Sequence, residues 1–193
     1  MNLDSNSWNQ RYLKDNTGWD LGFISTPLKN YFDQLTNKDL RILIPGCGNS
    51  YEAEYLFNNG FKNVYVLDFS KKAIDNFSQR VVSFPSANII CENFFDVVGH
   101  YDLIIEQTFF CAIDINKRLE YAQKVHSLLN INGKLIGVLF NAPMYEDHPP
   151  YGGSVEEYKS YFSLLFELNI FEPSYNSVSS RNGKELFINI QRK

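Results

Sequence analysis

Cysteine is scarce in this sequence: Cys47, Cys91 and Cys111 are the only three among 193 residues. They are odd in number and widely separated, and no CxxC pair exists. Such a set builds neither a disulfide framework nor a zinc site, and it fits a reducing, cytoplasmic compartment. Histidine is equally sparse, with only His100, His126 and His148, so no metal site is expected. No apolar run approaches the ~18–20 residues of a membrane span. Residues 1–10 are polar and lack the charged-then-apolar profile of a signal peptide. An excess of basic residues is missing too: 18 Lys and Arg stand against 22 Asp and Glu, a formal net charge of −4. A non-specific nucleic-acid binder needs cations to displace phosphate counterions. Neither nucleic acid nor membrane is therefore an expected partner.

What is present is an ordinary globular balance, with 44% hydrophobic and 21% charged residues, in a length that suits one domain. A core of this size stands without disulfides or metals, and a monomer is expected. Short β-branched runs alternate with helical periodicity. The first strand reads as 40–45, ending at Gly46, and a helix over 50–59 closes at Gly60. A second strand covers 63–68. Ser70 then caps a helix through Ala73, Ile74, Phe77 and Val81. Strands follow at 87–91 and 101–106. A helix over 116–129 places Leu119, Ala122, Val125, His126 and Leu129 on one side, and a fifth strand runs over 134–140. Strands alternating with helices imply right-handed crossovers and a parallel sheet covered on both faces. After Phe140 the pattern changes to a helix over 154–168 and two strands, 171–179 and 185–191, joined by a turn at Arg181-Asn182-Gly183. The fold class is thus α/β: one Rossmann-like, doubly wound sheet, mostly parallel, with an antiparallel C-terminal hairpin.

The first strand ends in Pro45-Gly46-Cys47-Gly48-Asn49-Ser50. Gly46 and Gly48 permit a sharp turn and close approach of a ligand to the backbone. The third glycine of the dinucleotide fingerprint is absent, because Tyr51 occupies its place, and this weakens an NAD-linked oxidoreductase. Asp68 ends the second strand, where a carboxylate can accept hydrogen bonds from both hydroxyls of a ribose. Asn93 and Phe94 follow the third strand, a polar group beside an aromatic that suits a purine. Glu106-Gln107-Thr108-Phe109-Phe110 ends the fourth strand near the topological switch point. Spacing alone leaves Glu106 open as a base, a carboxylate for an ammonium, or a solvated edge residue.

These residues resemble the thiopurine methyltransferase-like superfamily, most closely its thiol and halide methyltransferase branch. The likeness spans nearly the whole chain. It runs from Trp8, Tyr12 and Thr17-Gly-Trp-Asp-Leu-Gly22 through Ile44-Pro-Gly-Cys-Gly48, Asp68 and Glu106-Gln-Thr-Phe-Phe-Cys-Ala-Ile113 to Pro149-Pro-Tyr-Gly152 and the terminal hairpin. It implies the class I fold and the methyl donor S-adenosyl-L-methionine, with S-adenosyl-L-homocysteine as product. It also implies an N-terminal lid over 1–36 on a core of 37–193. Carried over by position, Trp8, Tyr12 and Trp19 are lid aromatics, Gly46 a glycine-loop contact, Asp68 the ribose carboxylate, and Asn93 and Phe94 the adenine contacts. Asn93 replaces a more usual aspartate, and Tyr12 stands where plant relatives commonly have tryptophan. Gln107 stands where the family varies between tyrosine and arginine. Aromatic faces attract a sulfonium cation, and closure over it excludes water.

The acceptor is expected to be a small, soft nucleophile: a thiol, thiopurine, halide or related compound. Its pocket is expected between Gln107, Phe109, Phe110, Tyr145 and Tyr151, a mostly aromatic set without arginine, which disfavours carboxylate-rich acceptors. Transfer is expected by direct in-line displacement, with no role for Cys47 or Cys111. No catalytic residue is assigned firmly; Glu106 and Gln107 are the candidates, with Thr26 in reserve. His148-Pro149-Pro150-Tyr151 imitates a motif of nucleic-acid amino-methyltransferases, but it follows the fifth strand rather than the fourth. A non-catalytic module that binds an adenosyl ligand is the alternative outside the enzymes.

Overall fold

The computed structural model describes residues 3–193; the first two residues of the expected lid segment lie outside the described residues. Helices α1 (Ser5–Leu13) and α2 (Thr26–Phe32) precede the sheet. The order then runs β1 (Arg41–Pro45), α3 (Tyr51–Asn58), β2 (Asn63–Leu67), α4 (Lys71–Arg80) and β3 (Ile89–Ile90). It continues with β4 (Tyr101–Gln107), α5 (Arg118–Leu128), β5 (Leu129–Phe140), α6 (Val155–Phe162), β6 (Phe166–Pro173) and β7 (Glu185–Arg192). The seven strands form one sheet in the order β3-β2-β1-β4-β5-β7-β6. The first five are parallel, and β7 inserts antiparallel between β5 and β6.

Alternation along the strands divides the core. Ile42 and Ile44 of β1 face Leu28 and Phe32 of α2, Ala53 and Leu56 of α3, and Phe77 of α4. Leu43 between them faces the other way, into a layer with Tyr121 and Val125 of α5 and Tyr158 and Phe162 of α6. Both faces of the central strands are therefore dry, as the unbroken apolar runs required. With five parallel strands aligned, the loops after β1, β2, β3 and β4 all leave the sheet at one edge. That edge carries the site.

The second half of the chain differs in detail from its sequence pattern. The helix expected over 154–168 stops at Phe162, and β6 starts at Phe166 instead of 171. Leu165 and Phe166 continue a helical spacing from Phe162, but Phe166 pairs with Arg192 and Leu168 with Ile190. Sheet pairing with a buried partner strand outweighed local periodicity. The Asn182-Gly183 pair does not form a tight hairpin. It lies in the longer connection 174–184, which holds a 3-10 turn at Ser179–Arg181. The buried face of α5 consists of Arg118, Tyr121, Ala122, Val125 and Leu128, whereas Leu119 is 49% exposed. Strand β3 shortens to two residues behind a 3-10 turn at Ser86–Asn88.

Candidate active site

The loop after β1 is held in left-handed backbone geometry. Gly46 has φ +57° and Gly48 φ +54°, and Ser50 follows at φ +52°. A Cβ on Gly46 would lie 2.1 Å from Phe109 Cδ2, and one on Gly48 2.7 Å from the Tyr12 hydroxyl. Position 46 therefore needs glycine for space as well as for φ, whereas at Gly48 the positive φ is the main constraint. The Gly48 amide donates to Asp68 Oδ2 at 3.0 Å, and the Ser70 amide donates to Oδ1 at 2.8 Å. Each carboxylate oxygen holds one amide and keeps acceptor capacity for another donor. Burial pushes Asp68 up to about 6, against the pull of these amides.

The N-terminal segment covers this loop. Trp19 meets Trp8 and Tyr12 edge-on at ring-centroid distances of 5.4 and 5.9 Å. Asn9 Oδ1 accepts from Ser70 Oγ at 2.8 Å and from the Lys72 amide at 3.0 Å, which docks α1 on the start of α4. Three core side chains grip the stretch that follows. Arg181 donates to the Trp19 carbonyl, Asn49 donates to Asp20, and Glu52 Oε1 accepts from the Ser25 amide at 3.1 Å. Glu52 is buried, and burial raises its carboxyl above the ordinary glutamate range.

The end of β4 is shaped by Glu106. Its Oε1 accepts from the Phe109 and Phe110 amides, both at 2.8 Å, and its Oε2 accepts from the Tyr121 hydroxyl at 2.7 Å. This bends the chain through Thr108, a non-glycine residue at φ +57°. Glu106 pairs with Gly137 of β5, where a Cβ would lie 2.4 Å from the Cβ of Glu106. Burial pushes Glu106 up to about 7.

Together these elements enclose a cavity of about 900 Å3, within the roughly 300–1,000 Å3 usual for small-molecule sites. Trp8, Tyr12 and Trp19 line it from the N-terminal segment, and Gly46, Gly48 and Asp68 from the ends of β1 and β2. Asn93, Phe94, Gln107, Phe109 and Tyr151 line it from β3, β4 and the loop after β5. Gln107 presents a buried Oε1 that has no hydrogen-bond partner. An orphaned acceptor and a carboxylate with spare acceptor capacity suit a polar ligand.

Three expected site residues fall elsewhere. Glu106 is fully buried, with both oxygens bonded behind the β4 turn, so it supports the cavity wall and faces no acceptor. Phe110, 1% exposed, turns away from the cavity into the core against Tyr121, Tyr158 and Phe162. Tyr145 is 54% exposed and lies against the His148 ring, because its loop leaves only Tyr151 pointing inward. The reserve candidate Thr26 opens α2, away from the lining. Sequence reasoning passed over Glu52, Asp20 and Ile113, which also line the cavity. Glu52 resembled an ordinary first-turn acid, and its only signal was its place one turn past the glycine loop.

The chain matches the Thiopurine S-methyltransferase (TPMT) family over residues 3–191. A probable thiol methyltransferase 2 of Arabidopsis thaliana is 30% identical over 187 residues, covering 94% of this chain and 82% of the relative. Thiocyanate methyltransferase 1 of Brassica oleracea is 27% identical, over 95% of this chain and 83% of the relative. Among solved structures, a Burkholderia thailandensis 1,6-didemethyltoxoflavin-N1-methyltransferase with bound S-adenosylhomocysteine superposes with a TM-score of 0.76 at 11% identity, over 99% of this chain and 87% of that one. A TehB-like SAM-dependent methyltransferase from Corynebacterium glutamicum gives 0.68 at 16% identity, over 98% of each chain. The sheet order, the glycine loop with its carboxylate and the family match agree: the chain belongs to the thiopurine S-methyltransferase family of S-adenosylmethionine-dependent methyltransferases.

Proposed function

We propose that the protein methylates a small, soft nucleophile such as a thiol, thiopurine, thiocyanate or halide, and that the transfer takes place within the cavity behind the N-terminal segment. The observation that carries this reading is the composition of the cavity. A carboxylate and a glycine loop stand at one side, an aromatic cover lies above, and Phe109, Ile113 and Tyr151 line the remainder together with Asp114 and Lys117. S-adenosylmethionine supplies a methyl group activated by its sulfonium. Asp68 is suited to accept from both ribose hydroxyls, one on each oxygen. Asn93 and Phe94 are suited to the adenine amine and ring, and Gln107 Oε1 offers an acceptor beside the reacting region.

Residues 3–36 act in this reading as the lid. Trp8, Tyr12 and Trp19 cover the cofactor side of the cavity and exclude water, which leaves the nucleophile poorly hydrated and more reactive. Glu106 takes no proton from the acceptor. Cys111 stays a thiol, since burial pushes it up to about 12. Catalysis then rests on orientation and desolvation, which suits nucleophiles that react without a base. The net charge of −4 and the names of the relatives support a small acceptor over nucleic acid, and we read the protein as a cytoplasmic monomer.

Titration calorimetry with S-adenosylhomocysteine and NAD, followed by methyl-transfer assays on thiocyanate, iodide, hydrosulfide and 6-mercaptopurine, tests the reading. Preferential binding of the adenosyl ligand with turnover of at least one acceptor is expected. Tighter NAD binding, or adenosyl binding with no transfer to any of the four, would refute it.

A further inference from the structure

Arg118 is the most deeply buried basic side chain among the described residues, and nothing in the proposed transfer uses it. It opens α5 and is 1% exposed. A cation in the first turn of a helix opposes the helix dipole, and a buried guanidinium carries a desolvation cost, so helix stability does not account for it. Its contacts do. Nη1 donates to Glu157 Oε1 of α6 at 2.7 Å, and Nη2 donates to the Gly152 carbonyl at 2.9 Å and, longer, to the Tyr151 carbonyl at 3.4 Å. The guanidinium lies 4.9 Å from the Phe110 ring centroid and 5.6 Å from that of Tyr158, both of which restrict its position.

The backbone it grips carries one of the cavity residues. The Tyr151 amide donates to the Cys111 carbonyl at 2.7 Å from the opposite side. A Cβ on Gly152 would lie 2.2 Å from the Ala142 carbonyl oxygen, so residues 151–152 are wedged where any added bulk would displace them. Elsewhere in the same loop Tyr145 is exposed. We propose that Arg118, held by Glu157, is a positioning residue that fixes Tyr151 at the acceptor end of the cavity and so sets acceptor binding and orientation. A planar fork with several fixed donors can bond a carboxylate and a carbonyl at once, while a lysine ammonium is a single point. The proposal rests on the reading of Tyr151 as part of the acceptor end.

The test is a double-mutant cycle with the fastest of the four acceptors named for the transfer assay. Arg118→Lys should raise the acceptor KM or lower kcat by about ten- to a hundredfold, the scale of a misplaced contact. The affinity for S-adenosylhomocysteine should stay within about twofold, which also shows that the variant is folded. Glu157→Gln retains an acceptor oxygen on a half-exposed side chain and should give a smaller shift of the same kind; it serves if Arg118→Lys does not fold. Because the effect runs through Tyr151, Arg118→Lys should add little in a Tyr151→Ala background, whereas independent residues would add their losses. Additive losses, or equal losses in acceptor and adenosyl binding, overturn the positioning role while leaving the acceptor site in place. An inert Tyr151→Ala overturns the placement of the acceptor end, and the clamp with it.

Discussion

Replacing Glu106 by Gln should change how stability depends on pH. Burial holds the Glu106 carboxyl at about 7 in the folded protein against 4.5 for the ordinary group. Between these values the folded state binds a proton that the unfolded chain has released. Stability from this group is therefore full below about pH 4.5, declines as pH rises, and is gone above about 7. Each tenfold difference in proton affinity between the two states corresponds to about 1.4 kcal/mol. The whole decline is then roughly 3 kcal/mol, and roughly 2–3 kcal/mol of it falls between pH 5 and pH 8. Glutamine cannot titrate. Its oxygen can still accept from the Phe109 and Phe110 amides, and its amide can donate to the Tyr121 oxygen, so the turn through Thr108 has what it needs to survive.

The assay is urea unfolding of both proteins at pH 5 and pH 8. Taking wild type minus variant removes other titrating groups, Asp68 among them, provided that the two sites do not couple. The difference should move by about 2–3 kcal/mol in favour of the variant on going from pH 5 to pH 8. A difference that stays constant within about 0.5 kcal/mol would mean that Glu106 ionises at its ordinary value, and would refute the burial argument. A pH-independent loss added to that movement would report a broken hydrogen-bond network.

Asp68→Ala should weaken S-adenosylhomocysteine binding by roughly one to two orders of magnitude in calorimetry, since hydrogen bonds to a charged group carry ~1.5–3 kcal/mol. In the wild type the same affinity should fall by up to about tenfold for each pH step of one below pH 6, where Asp68 takes up a proton, and Asp68→Asn should lose that dependence. Gly46→Ala forces a Cβ to within 2.1 Å of the Phe109 ring and should lower the melting temperature by several degrees and abolish adenosyl binding. Arg181→Ala removes the grip on the Trp19 carbonyl; hydrogen exchange over 19–25 should rise in the ligand-free protein and fall on adding S-adenosylhomocysteine, whereas equal protection in both states would make the segment a fixed cap. Gln107→Ala and Tyr151→Phe should alter acceptor preference or turnover more than adenosyl affinity, and unchanged rates and selectivity would place the acceptor elsewhere.

The parts of the fold that were legible are those where one local signal had one physical outcome. Gly46 and Gly48 stand where a strand must turn left-handed under a neighbouring side chain, and Ser70 accepts from the Ala73 amide as an N-cap should. One kind of failure lies where two signals compete. Residues 162–168 carry a helical spacing and also the alternation of a strand, and only the position of β7 decides between them. Glu106, Phe110 and Tyr145 share a second kind of failure. Their segments do adjoin the cavity at one edge of the sheet, but which side chain of a turn points inward is settled by hydrogen bonds across the fold. Glu106 is turned inward by Tyr121, fifteen residues on, and that same bond drives Gln107 and Phe109 outward onto the cavity. Arg118 was invisible for the same reason. Its sequence neighbours make it look like a solvated helix residue, and its role exists only because α6 brings Glu157 to it from thirty-nine residues away. Where a site depends on a polar side chain satisfied by a distant partner, a sequence identifies the segment and the partner identifies the residue.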